Sequence, residues 1–355
     1  MNTVFPAAGR PLLIGSLPLD SHETALEWIY GHTPEIPLWP QLPCYPQERM
    51  MHQFMEGVPV IEEDLARDHI AFDTASEHFA AEQLAFFEDY LAVTEEGADL
   101  LSSRFAVSRE RARGLYLLSD SVAAHPDIIG LKGQVTGPFT LLTSISDAQK
   151  RIGYYDPTVR EIVVKAVALK GAWQARFLKK HALPVLIFID EPALAGLGSS
   201  AFISISTRDI KDDLDEVVRA IHNEGALAGV HVCANTDWEL LLTSTIDVLS
   251  FDAFGFFDRL AGHTIAVRSF LDRGSLLAWG IVPTGEAEEI SRATADQLAT
   301  LWEKQADTLG RERGELLART LITPSCGTGS LSRELAARVL ELTRDTSRIL
   351  RQRYA

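Results

Sequence analysis

The feature that most constrains this chain is the regular alternation of short apolar runs with longer stretches of helical periodicity. The runs occupy residues 12–17, 36–42, 128–135, 184–189, 227–233, 247–251, 276–282 and 316–322. Each has the length of a strand and little polar interruption, the pattern of strands buried on both faces. Helical periodicity follows most of them, at 21–30, 157–181, 207–224, 238–245, 265–273, 293–309 and 332–351. Parallel strands need a long crossover between them, so this alternation predicts a parallel α/β sheet. Eight runs, each ending in Gly, Pro or a polar residue, favour a closed (β/α)8 barrel over an open doubly wound sheet. One stretch breaks the rhythm. Residues 45–126 read as several charged, amphipathic helices, a helical insertion after the second strand. No repeat, low-complexity tract or linker divides the rest, so 1–355 is expected to form a single barrel domain.

With 355 residues, 46% of them hydrophobic, the chain has ample material for a core. A formal net charge of −16 argues against general affinity for nucleic acid or anionic membrane and leaves small molecules or proteins as partners. The three cysteines, Cys44, Cys233 and Cys326, are too few and too scattered for a disulfide framework, so a reducing cytoplasm is expected. The first residues lack a basic start leading into an apolar core, and no segment offers about 18 uninterrupted apolar residues. Entry into a membrane is not expected.

A barrel gathers chemistry at the carboxyl ends of its strands. Ser16, Asp190, His231, Cys233, Asp252 and Cys326 all fall at or just beyond run ends, with Cys44 in the loop leaving the second run. In His231-Val232-Cys233 the outer two side chains share one face of an extended strand. Together with Cys326 they supply an imidazole and two thiolates, a set that suits zinc. Three protein ligands leave a fourth position, as in catalytic rather than structural zinc sites. Asp252 could fill that position until substrate displaces it, or could equally serve as a rim ion pair or helix cap. Bound to zinc, a thiol loses its proton near neutral pH, and two cysteine thiolates leave the substrate sulfur electron-rich. The ligand set therefore points to thiol alkylation rather than hydrolysis. Cys44 reads as an inert core thiol and Trp39 and Trp279 as packing residues.

Three further segments carry a family likeness. Ile14-Gly15-Ser16-Leu17-Pro18, Thr136-Gly137-Pro138-Phe139-Thr140 and Ile189-Asp190-Glu191-Pro192-Ala193-Leu194, taken with the His-x-Cys and the Pro-x-Cys-Gly around Cys326, resemble the catalytic domain of cobalamin-independent methionine synthases. More broadly they resemble the barrel superfamily that also holds uroporphyrinogen decarboxylase and the cobamide methyltransferases. The resemblance implies that His231, Cys233 and Cys326 bind zinc, with Asp252 where a glutamate ligand is expected. It implies that Ile14, Gly15 and Ser16 contact homocysteine and that Asp190 binds its amino group, which makes Asp190 and Asp252 the candidate catalytic residues.

The departures bear on the methyl donor. Folate-dependent members carry a preceding homologous domain, for which this chain has no room, and end the seventh strand in Asp-Ile-His-Ser. Here that strand end reads Trp279-Gly280-Ile281-Val282-Pro283-Thr284, without the acid that would protonate a departing folate. A glutamate expected to contact the substrate amine finds no clear match near residues 43–48. A methylcobamide needs no such acid, so a methylcobamide, carried by a corrinoid protein, is the expected donor in place of methylfolate. Two alternatives stand beside this reading: a uroporphyrinogen decarboxylase-like enzyme, disfavoured because the predicted strand ends are poor in arginine, and a non-catalytic partner that retains the zinc site or meets a corrinoid protein.

Overall fold

From the N-terminus the chain forms helix α1 (His22–His32), strands β1 (Ile61–Asp64) and β2 (His69–Phe72), and helices α2 (Phe79–Thr94) and α3 (Arg113–Ser121). Strand β3 (Leu131–Thr136) is followed by α4 (Pro138–Ser144) and α5 (Pro157–Lys179), then β4 (Val185–Asp190), α6 (Thr207–Asn223), β5 (Leu227–Val232) and α7 (Trp238–Leu242). The order continues with β6 (Val248–Phe251), α8 (Ala253–Ala261), α9 (Thr264–Asp272) and β7 (Leu276–Val282). Helices α10 (Ala287–Arg292), α11 (Ala295–Leu309) and α12 (Arg313–Ala318) precede β8 (Thr320–Pro324), and α13 (Arg333–Tyr354) closes the chain. This is a computed structural model that describes residues 5–199 and 202–355. Residues 1–4, the start of the segment read for a targeting leader, and residues 200–201 lie outside the described residues.

Strands β3 to β8 form one six-stranded sheet in chain order, every pairing parallel. The helices between them start and stop on local signals. Asp156 caps α5 by accepting the Thr158 and Val159 N–H groups, with Pro157 in the first turn where its missing N–H costs nothing. Thr294 and Gln297 form a reciprocal capping box on α11, and Gly310, with φ of 64°, ends that helix in the left-handed region.

The first two predicted strands are extended but irregular. Single parallel bridges join Pro11 to Ile322 of β8, Ser16 to Gln41, and Leu38 to Lys132 of β3, so residues 11–17 and 36–42 run as two staves between the ends of the sheet. Proline explains the broken ladder: Pro11 and Pro18 bracket the first stave and Pro37, Pro40 and Pro43 punctuate the second, each removing an N–H donor. The last predicted run is also shifted. Leu316, Leu317 and Ala318 belong to α12, whose N-terminus Glu312 caps by accepting the Gly314 and Glu315 N–H groups, and the strand begins at Thr320.

Residues 45–126, expected to be helical, hold a β-hairpin as well as α2 and α3. Strands β1 and β2 pair antiparallel, and β2 buries Ile70 and Phe72. Helix α3 lies close on the second stave: a Cβ at Gly114 would meet the Pro40 carbonyl oxygen at 2.4 Å.

Inside the curled sheet, Leu186 and Phe188 of β4, Val248 of β6, Leu276 and Ala278 of β7 and Leu321 of β8 share one buried cluster with Leu12 and Ile36 of the staves. Alternation along each strand then carries the next inward positions to the carboxyl end, where they become polar. Trp39 and Trp279 are fully buried, and their indole N–H groups donate to Gln174 at 3.0 Å and to Gln305 at 2.7 Å, as packing residues with a satisfied polar tip should. Among the described residues no helix is long and apolar enough to cross a membrane.

Candidate metal centre

Strand register places the polar groups in one row. Thr136 of β3 pairs with Asp190 of β4, Asp190 with His231 of β5, and His231 with Ser250 of β6. Residues paired this way point to the same side of a parallel sheet, so an acid, an imidazole and a hydroxyl stand side by side on the inner face. Cys233 follows two residues after His231 on the same face, just past the end of β5. Cys326 arrives two residues after β8 ends at Pro324.

The ligand atoms of His231, Cys233 and Cys326 all lie within 4.8 Å of one another. Tetrahedral zinc, with Zn–S near 2.3 Å and Zn–N near 2.0 Å, sets its donors roughly 3.5–4 Å apart. The spacing suits such an ion. His231 supplies a second observation: its Nδ1 lies 2.9 Å from Ser250 Oγ, whereas its Nε2 is buried with no hydrogen-bond partner. When one ring nitrogen donates to a fixed hydroxyl, the other carries its lone pair toward the site, the arrangement of a metal-ligating histidine. The thiols are electrostatically unequal. The contact with Cys326 draws the Cys233 thiol well below its usual range, and the Cys326 thiol is pushed up by the same contact and by burial.

Asp190 is buried at the end of β4, and its Oδ1 has no partner. Burial raises its pKa, opposed by the charges of Lys132 and His231. Lys132 lies inside the curled sheet, its ammonium over the Phe188 ring at 4.7 Å and donating to the Ile14 carbonyl. Burial pushes its own pKa down to about 8. Glu191 serves the scaffold, accepting from the Phe139 N–H at 3.0 Å, the Thr140 N–H at 2.8 Å and the Thr140 hydroxyl at 2.6 Å. It thereby ties the end of β4 to the start of α4, and Gly137 leaves room for it, since a Cβ there would lie 2.1 Å from the Glu191 carboxyl carbon.

Asp252 does not join the three-donor group. One of its carboxylate oxygens accepts the Gly255 N–H at 2.8 Å and caps α8, the cap that the sequence left open as its alternative role. Burial raises its pKa, and the nearby Cys233 adds to the rise. Cys44 is exposed rather than in the core, because Pro43 and Pro46 turn the chain outward around it, and burial still raises its thiol pKa.

A cavity of about 420 Å³ opens onto the cluster, and Ile14, Ser16, Asp190, His231, Cys233 and Cys326 all line it. Gly15 lies beside it in a small apolar recess with Ile14 and Ser16. Ser16 does more than line the wall. Its carbonyl accepts the Thr328 N–H at 3.0 Å and its hydroxyl the Gly329 N–H at 3.2 Å, so the first stave holds the loop that carries Cys326. A Cβ at Gly327 would meet the Ser16 hydroxyl at 2.3 Å, which is why glycine follows the cysteine.

Part of the remaining wall comes from residues that strand-end reasoning missed: Glu48, Arg49, Met50, Met51 and Asp68. Both Glu48 oxygens are engaged, by His22 Nε2 at 2.7 Å and by the Leu42 N–H at 3.0 Å. The Met50 carbonyl accepts the Thr136 hydroxyl at 2.7 Å, which fastens this wall to the end of β3. The one signal for the first four in the sequence is the Glu-Arg-Met-Met run a few residues after the proline-rich second stave.

Fold and site together define a class: a curled parallel α/β protein with an imidazole and two thiols converging at the carboxyl ends of its strands. Within it, the chain is similar to a crystal structure from Listeria monocytogenes described as a candidate vitamin-B12-independent methionine synthase, with a TM-score of 0.53 over 94% of this chain and 86% of that one. Sequence identity is 11%, and the likeness establishes the fold. No protein-family model and no curated protein matches the sequence.

Proposed function

We propose that this protein is a zinc-dependent thiol S-methyltransferase, methionine synthase-like, built on a (β/α)8 barrel whose first two strands are the irregular staves. The observation that carries the reading is the buried, unpartnered His231 Nε2 beside two thiols in a cavity that also holds the free oxygen of Asp190. Zinc held by His231, Cys233 and Cys326 would supply thiol activation, lowering the pKa of a substrate sulfur in the fourth position. With Asp252 committed to α8, that position is left to substrate or water.

Ser250 holds the His231 ring through Nδ1. Asp190 offers its free oxygen to the ammonium group of homocysteine, and Ile14, Gly15 and Ser16 form the wall beside the sulfur. In the transfer, a sulfur lone pair forms the S–CH3 bond while the bond from methyl to donor breaks and its electrons leave with the donor. For a methylcobamide the leaving species is cobalt(I), which needs no proton. The end of β7 favours that donor, since Gly280-Ile281-Val282 and the Pro283-Thr284 that follow carry no acid to protonate a departing folate. A corrinoid protein would present such a donor. Electrostatics weigh against a decarboxylase acting on a polycarboxylate, because Arg49 is the sole lysine or arginine among the described cavity-lining residues.

The test is zinc content by elemental analysis of wild type and Cys326→Ala, with homocysteine methylation from methylcobalamin. Wild type should hold one zinc and form methionine, and the variant should do neither. Wild-type protein reconstituted under reducing conditions that binds no zinc would end the proposal.

A further inference from the structure

The chemistry at sulfur leaves Arg49 unused. It lines the same cavity as the three donors and Asp190, yet its guanidinium makes only long contacts: Nε to the Pro43 carbonyl at 3.4 Å, and Nη1 to Asp68 Oδ1 at 3.3 Å. Asp68 is itself shared, lying 3.2 Å from His52 Nε2, and its side chain is 58% exposed. Arg111, from the same 45–126 stretch, shows the contrast. Its two terminal nitrogens meet Glu63 at 2.9 and 2.6 Å, the bidentate geometry that satisfies a guanidinium. Arg49 has no such partner, and a guanidinium has five donors to place.

The cavity carboxylates differ in the same way. Glu48 is saturated by His22 and the Leu42 N–H, while Asp190 keeps a buried, unpartnered oxygen. One cavity therefore presents a group of sulfur-seeking donors, one carboxyl group with a free oxygen and one under-used cation. These complement the three functional groups of a zwitterionic thiol amino acid: sulfur, ammonium and carboxylate.

Resting on the thiol-methyltransferase reading, we infer that Arg49 is the specificity residue of this cavity and pairs with the carboxylate of the acceptor, taking the place that Asp68 now loosely fills. Arginine is suited to this because its planar fork can hold both carboxylate oxygens, which an ammonium cannot. The site would then reject thiols that lack a carboxylate even where the metal could activate them.

The experiment compares L-methionine with L-methioninamide by titration calorimetry on the zinc-loaded protein, at a pH where both amines are protonated. The two share sulfur and ammonium and differ in the carboxylate. Wild type should bind methionine about 10–100-fold more tightly, the worth of a charge-assisted pair. Arg49→Gln should weaken methionine alone until the two agree within about threefold, with zinc content unchanged. Arg49→Lys, which keeps the charge without the fork, should fall between them. Equal wild-type affinities, no binding of either ligand, or an Arg49→Gln loss shared by both would overturn the inference. So would a loss confined to the KM for methylcobalamin, which would assign Arg49 to the donor. Protein without zinc can be titrated in the same way, so failure of the metal reading and failure of the clamp are separate results.

Discussion

The curled sheet and the two staves beside it form two unlike arcs. Strands β3 to β8 pair continuously and carry Asp190, His231 and Ser250 in one register row, with Cys233 and Cys326 just beyond their ends. The other arc is two proline-broken staves held by single bridges, backed by the 45–126 stretch, and supplies Ile14, Ser16, Arg49 and Met50 to the cavity. The difference separates two kinds of demand. Donors for a metal have to be held in place: the continuous ladder does that for His231, and Ser16 of the first stave does it for the loop of Cys326. A substrate wall has to fit one molecule and admit it, and a less regular scaffold is sufficient.

The comparison breaks most readily at its metal. His231→Ala should cut zinc content to a small fraction of wild type and lower methylation by about 1000-fold or more, measured by elemental analysis and turnover. Retention of full metal would show that the continuous arc does not hold it. Asp190→Asn should lower kcat/KM for homocysteine by about 10–100-fold with zinc retained, because a charge-assisted contact is lost without touching a donor. Ser250→Ala tests the support behind the imidazole. Zinc affinity should fall by about 10-fold in competition with a chelator, since outer partners of ligating histidines commonly matter that much.

The other arc should answer differently. Gly114→Val places a branched side chain against the Pro40 carbonyl and should lower stability by about 1–3 kcal/mol in denaturant titrations, leaving zinc stoichiometry intact. Loss of metal along with stability would erase the division between the arcs. A last test is a pH slope. Burial raises the Glu191 carboxyl from 4.5 to about 7. Below that window the acid is protonated in folded and unfolded chains alike. As pH rises through it the unfolded chain ionises first, so stability should decline between about 4.5 and 7 and level off above. Glu191→Gln should flatten that decline in urea midpoints measured across the range.

Legibility in the sequence follows the same division. The run 276–282 matches β7 residue for residue, and 227–233 contains β5 with Cys233 just beyond it, because uninterrupted apolar runs in parallel sheets carry a strong signal. His231, Cys233 and Cys326 were legible as a group from residue chemistry and the spacing of strand ends. The staves were legible as extended but not as irregular, although Pro37, Pro40 and Pro43 stand in plain view. Asp252 was misleading in part, since a carboxylate after a strand serves a site or a helix cap equally well. The β1–β2 hairpin and Arg49 were beyond reach: short charged strands such as Ile61-Glu62-Glu63-Asp64 have no apolar run, and a lone arginine declares its environment only when the chain is folded.

A curled sheet flanked by staves on single bridges has a preferred place to breathe. Amides of residues 11–17 and 36–42 should exchange with solvent through small local openings, while those of β4 to β7 wait for larger ones. The gap that opens first lies at the stave whose Ser16 also holds the loop of Cys326, so an opening there would loosen that thiol and the cavity mouth together while leaving the ladder of Asp190 and His231 intact.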